Sequence, residues 1–131
     1  MTFVLDTNSL IYFFKGMGRM AERILTTPPA SLAIPSVALY ELEVGIAKSS
    51  SPAPRRHQLN QLLALVPVLP FAAPEAAIAA QIRADLERAG TPIGVLDTLI
   101  AGITLRHAGV LVTHNVDEFR RIDRLAVEDW Y

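Results

Sequence analysis

The chain contains no cysteine. Disulfides, thiolate nucleophiles and Cys-ligated zinc are therefore excluded, and a reducing cytoplasm is the expected setting. An excess of one charge is also missing: 12 basic side chains stand against 13 acidic ones, a net charge of −1. A domain that grips nucleic acid by bulk charge is usually basic. Any such partner must here be held by local patches or through bound cations. No apolar run is long enough to span a bilayer, and the stretch from Val66 to Ala73 is broken by Pro67 and Pro70. The opening Met1-Thr2-Phe3-Val4-Leu5-Asp6 lacks the basic and then long apolar segments of a secretion signal. No membrane association is expected.

What is present is material for a core. Hydrophobic residues make up 51% of 131 positions, which suits one ordinary folded domain over residues 1–131. There is no internal repeat. Ser49 to Pro54 is a polar break and reads as a loop between two helical patterns. Short apolar runs, Phe3 to Leu5, Ser31 to Ile34, Val68-Leu69 and Val110 to Thr113, read as strands, and Leu125 to Val127 as an edge strand. Between them lie helical patterns from Leu10 to Phe14, Val37 to Ala47, Leu59 to Val66, Glu75 to Ala89 and Asp97 to His107. Ile78, Ile82 and Leu86 recur every four residues in the fourth of these. The alternation predicts a three-layer α/β/α domain with a central, mostly parallel, short-stranded sheet. Ligand sites in such sheets form at the carboxyl ends of strands.

Two polar clusters fall at such ends. Asp6-Thr7-Asn8 follows the first strand and offers a carboxylate, a hydroxyl and an amide together. Helix capping accounts for one such residue; three in a row suit a hard cation that wants oxygen ligands. Thr113-His114-Asn115, with Asp117 beyond, follows the fourth strand. Turn chemistry is the ordinary reading there, and Thr113 is placed to orient a neighbouring carboxylate. His114 has no second histidine at ligand spacing and reads as a turn residue; His57 and His107 are less specific still. Glu41 sits inside a helix among Val37, Ala38, Val44 and Gly45. An isolated Glu is more often a surface residue, but a mid-helix glycine costs about 1 kcal/mol and usually marks close packing. Glu43 should face elsewhere, toward water. Asp97 opens an apolar helix, again with capping as the ordinary reading. Carboxylates gathered in one pocket repel each other and tend to protonate. A divalent cation relieves this, and oxygen-only ligation selects Mg²⁺ or Mn²⁺ over Zn²⁺.

Four segments, in this order, resemble the PIN-domain family: Leu5-Asp6-Thr7-Asn8; Tyr40-Glu41-Leu42 with Gly45; Gly90 to Gly94 with Asp97 to Ala101; and Leu111 to Phe119. The closing Val127-Glu128-Asp129-Trp130 resembles the tails of its VapC toxin branch. The resemblance implies a Mg²⁺- or Mn²⁺-dependent endoribonuclease with an RNA substrate and a VapB-type antitoxin as partner. It places the family's acids on Asp6, Glu41 and Asp97, and a fourth polar position on Asn115. Asp6 and Asp97 are expected as principal metal ligands, Glu41 as a water-positioning group, and Thr7 or Thr113 as their support. Two departures stand out: Leu96 precedes Asp97 where many relatives are polar or aromatic, and Asn115 carries no charge. Asp117 is the candidate to compensate.

Lys48, Arg83, Arg88, Arg106 and Arg120 are available to hold flanking phosphates. A homodimer is expected, with Glu75 to Arg88 as the dimer face. The antitoxin groove is expected along Asn8 to Lys15 and Met17 to Leu25, with an antitoxin arginine entering the acid pocket. Two rival readings remain. A phosphatase using Asp6 as nucleophile would want a second aspartate at position 8, where Asn8 stands. A catalytically inactive PIN-like interaction domain would have no need of all three acids.

Overall fold

The computed structural model describes residues 1–131. Its elements run β1 (Phe3–Leu5), α1 (Thr7–Lys15), α2 (Met20–Leu25), β2 (Leu32–Pro35), α3 (Ser36–Ala47), α4 (Pro52–Leu63), β3 (Val68–Leu69), α5 (Ala73–Arg88), α6 (Val95–Arg106), β4 (Val110–Val112), α7 (Val116–Phe119) and β5 (Ala126–Glu128). A 3₁₀ turn at Pro29–Ser31 leads into β2. The architecture is the expected three-layer α/β/α, and the sheet is parallel throughout.

The strand order is β3-β2-β1-β4-β5. Val4 of β1 lies opposite Ala33 on one side and Leu111 on the other. All three are buried, as expected of parallel strands covered on both faces. The chain winds outward from β1 to β2 and β3, then returns through α5 and α6 to β4 on the other side of β1. The winding direction therefore reverses between β1 and β4, and the crevice at such a reversal is where α/β sheets place their sites. The core beneath it holds Leu5, Leu10, Ile34, Ile100, Ile103, Leu111 and Phe119, all with less than 2% exposure. Each such side chain contributes about 1.5–3 kcal/mol by leaving water.

Several element ends differ from expectation. The helix expected to begin at Leu59 begins at Pro52, so half of the Ser-Pro segment, Pro52 to Pro54, is its first turn. Pro52 and Pro54 are tolerated because the first N–H groups of a helix have no internal partner. That helix ends at Leu63, three residues short of the expected Val66, and Pro67 blocks its continuation. α2 starts at Met20 rather than Met17. α6 starts at Val95 rather than Asp97, with Gly94 at its cap position. α5 and β5 are each displaced by a residue or two. No helix is long and apolar enough to cross a membrane.

Candidate active site

Asp6 leaves the end of β1 and caps α1. Its backbone N–H donates to Val112 O at 3.2 Å, which fixes it at the β1–β4 crevice. Its Oδ1 accepts the Ser9 N–H at 2.9 Å, so the capping reading is correct for one oxygen. Burial pushes the Asp6 carboxyl up from its ordinary value. Hydrogen bonds from Thr113 and Ser9 oppose that, and the charge of Glu41 adds to it. Ser9 Oγ donates to Val112 O at 3.0 Å and ties α1 to β4 a second time.

Asp97 is not a cap. It stands in the first turn of α6, behind the Gly94 cap, where the helix dipole favours a carboxylate. Thr98 Oγ1 donates to Gly94 O at 2.9 Å and fixes the turn. A Cβ on Gly94 would meet Asp97 Oδ2 at 3.5 Å, an ordinary contact. The Asp97 carboxyl is pushed up to about 6, first by burial and then by the charges of Asp6, Glu118 and Glu41. The charges of four acids therefore act on one another in this crevice.

Glu41 comes from α3, and Thr7 Oγ1 of α1 donates to its Oε1 at 2.5 Å. Glu43 faces elsewhere, as expected, but it is ion-paired with Arg56 of α4 rather than simply hydrated. Gly45 does not mark close packing: a Cβ there would meet nothing within 4 Å. It instead lines an open groove of about 350 Å³ beside Glu41, with Ile11, Lys15, Arg55 and Gln58.

The fourth corner belongs to a residue that sequence reasoning passed over. Asn115 Nδ2 donates to Glu118 Oε2 at 2.7 Å, and Glu118 is the acid that bears on Asp97. Asp117, the expected compensator, is exposed and does not bear on Asp97. The readable signal was helical spacing. Phe119 is fully buried and fixes the rotation of α7, so positions 115 and 118 share a face and 117 does not. Thr113 is fully buried, and its Oγ1 accepts the Asn115 N–H at 3.0 Å.

The structure thus brings Asp6, Glu41, Asp97 and Glu118 together, with Thr7, Thr113 and Asn115 each holding or orienting one of them. Among the basic residues named earlier, Arg83, Arg88 and Arg106 pair with Glu87, Asp85 and Glu75. Lys15 and Arg55 line the Glu41 groove in their place. His114 is more than a turn residue: its Nδ1 lies 2.9 Å from Asp129 Oδ2, and its ring stacks on Tyr131.

The pocket's donors are oxygens alone, and the mutual repulsion recorded at Asp97 is what a divalent cation relieves. No three of these acids stand close enough together to hold a metal ion between them as the chain is folded. Residues 3–125 match the PIN domain. The chain belongs to the PIN-domain family. It is 36% identical to the tRNA(fMet)-specific endonuclease VapC of Salmonella typhimurium over 98% of this chain and 97% of that protein. It is 34% identical to the Shigella flexneri protein of the same name, with the same coverage. The VapBC2 structure from Rickettsia felis, bound to a DNA fragment from its promoter, superposes with a TM-score of 0.92 at 30% identity, covering 100% of both chains. The relatives are VapC ribonucleases, and PIN-domain nucleases in general depend on a divalent metal.

Proposed function

We propose that this PIN domain is a VapC-type endoribonuclease toxin whose hydrolytic centre is the pocket of Asp6, Glu41, Asp97 and Glu118. The observation that carries the reading is the convergence of Asp6 from β1, Glu41 from α3 and Asp97 from α6 at the sheet's switch point, where burial first and then the charges of Asp6, Glu118 and Glu41 push the Asp97 carboxyl up to about 6. Perturbed carboxylates in a crevice mark functional sites more often than structural ones. In this reading Asp6 and Asp97 are the principal ligands of Mg²⁺ or Mn²⁺, and Asn115 and Glu118 complete the pocket. The oxygen-only donor set favours those ions over zinc. When bound, the cation offsets the acids' charge and polarises the scissile phosphate. Glu41, steadied by Thr7, orients the attacking water and accepts its proton. Lys15 and Arg55 hold phosphates along the groove. Thr113 keeps Asp6 in place.

The inactive-domain rival is disfavoured by the gathering of four acids where a packing role needs none. The phosphatase rival is disfavoured because Asp6 is buried and committed as a cap. The relatives' names make tRNA(fMet) the first substrate to assay. Their complexes support a small VapB-type antitoxin as the partner; a cytoplasmic setting and a homodimer across the α5 face belong to the same proposal.

The test is cleavage of RNA by the pure protein with Mg²⁺ or Mn²⁺ and with chelator. Asp97→Asn is expected to abolish cleavage with the fold intact. Glu41→Gln is expected to lower turnover far more than metal affinity. Undiminished cleavage by Asp97→Asn removes the assignment.

A further inference from the structure

Three aromatic rings from three distant parts of the chain meet at the carboxyl-end side of the sheet, the side that carries the acids. Tyr131 stacks on His114 with centroids 4.3 Å apart and planes 21° from parallel. Tyr12 meets Tyr131 edge-on at 5.0 Å and His114 edge-on at 6.0 Å. His114 lies directly between Thr113, which bonds Asp6, and Asn115, which bonds Glu118. Tyr12 lies one helical turn beyond Asn8, which is exposed and two residues from Asp6. His114 and Tyr131 thus lie beyond the carboxyl ends of β4 and β5, the end of the sheet at which Asp6 leaves β1.

The rings are held from behind. Asp129 fixes the His114 ring through Nδ1 at 2.9 Å. The Arg19 N–H donates to the main-chain oxygen of Tyr131 at 2.6 Å. Gly18, at φ +60°, leaves room for it: a Cβ there would stand 2.9 Å from Tyr131 Cγ. Yet the trio is not sealed. His114 keeps 47% of its side chain exposed and Tyr131 39% of its surface. The cluster is fixed in place, and two of its rings reach solvent.

We propose that Tyr12, His114 and Tyr131 form a base-stacking platform that receives an unpaired nucleotide next to the scissile phosphate. Single-stranded RNA is bound by stacking unpaired bases on fixed aromatic faces, because every base has a π-face. The platform supplies what a chain of net charge −1 lacks in bulk electrostatics, and it sets the register of the RNA on the acids. This rests on the ribonuclease reading of the pocket.

The experiment uses the full chain with chelator, so that binding is read without cleavage. The probes are single-stranded RNAs of about twelve nucleotides, each with one nucleotide replaced by an abasic residue in turn. Anisotropy should show one position, adjacent to the cut made when Mg²⁺ is restored, where wild type loses about tenfold in affinity. Tyr131→Leu should lose the same factor on intact RNA and show no further loss at that position. Tyr131→Phe should behave as wild type. His114→Leu, at a half-exposed side chain, provides the same reading if Tyr131→Leu does not fold. Losses that multiply, or an abasic profile unchanged by the variants, overturn the platform even if their melting temperatures fall. Wild type that neither binds nor cuts any RNA overturns the ribonuclease reading and the platform with it. Wild type that cuts RNA with no abasic-sensitive position overturns the platform alone.

Discussion

Asp97 is the residue at which the site's energetics are most exposed. Its carboxyl sits at about 6 in the folded chain against an ordinary 3.8. A raised acid means that folding favours the protonated form. Its stabilising contribution is complete below the ordinary value and is lost as pH rises through about 6. Without metal, Asp97→Asn should therefore stabilise the protein at pH 8 and change little near pH 4. The gain at pH 8 should be about 1 kcal/mol once solvent screening is allowed for, or about 3 °C in Tm. With saturating Mg²⁺ the order should reverse, because only wild type gains from binding. Thermal melts at both pH values, with and without metal, check the sign. Glu118 belongs to the same balance. Glu118→Gln keeps an acceptor for Asn115 but removes a charge facing Asp97, so metal affinity should fall about tenfold. Calorimetric titration that shows no change would remove Glu118 from the site. Asp6, Glu41 and Asp97 were legible in the sequence because each acid stands against an apolar run. Glu118 was not, because it lies between Asp117 and Arg120, where polarity alone picks out no face. Only the buried Phe119 does that.

Among the elements, α5 and α6 show what periodicity reveals and what it hides. The four-residue recurrence of Ile78, Ile82 and Leu86 marked α5 as a helix, but nothing in it said how closely α6 would approach. Gly102 explains the approach: a Cβ there would stand 2.9 Å from Ala79 Cβ and 3.2 Å from Ala79 backbone atoms. Gly102→Ala should thus force the two helices apart and lower stability by about 1–3 kcal/mol, despite alanine's better helix propensity. Since α6 carries Asp97, activity at a permissive temperature should fall as well. Chemical denaturation and a cleavage assay measure both effects, and a neutral or stabilising result would mean the helices are not in contact at this point. Elsewhere the helix missed at Pro52 shows the converse. Prolines read as breaks unless their place in the first turn is recognised, and that place depends on where α3 ends and α4 packs.

At the scale of the molecule, the proposed catalytic face and the proposed partner face are separate surfaces that share α1. The N-terminal end of α1 holds Asp6 and Thr7 at the acid pocket. Its other end contributes Phe13 and Phe14 to an apolar groove of about 330 Å³, lined also by Ile24, Leu25, Leu62 and Leu65 from α2 and the α4 region. An apolar groove thus runs along the end of α1 and α2, with α4 forming its far wall. Leu25 is 75% exposed and Leu65 66%, an apolar surface that a folded chain rarely leaves uncovered without a partner. An amphipathic antitoxin segment laid in this groove would point its continuation along α1 toward the acids, where an arginine can pair bidentately with a carboxylate and displace the cation. Binding and inhibition then have separate determinants. Leu25→Glu changes an exposed groove residue remote from the acids, so the free enzyme should cut RNA at the wild-type rate and melt at the same temperature. The same variant should lose antitoxin affinity by about a hundredfold, because a desolvated charge at the centre of an apolar interface has no partner. Co-expression with the cognate antitoxin should then fail to protect growth. Wild-type affinity in Leu25→Glu would move the partner off this groove.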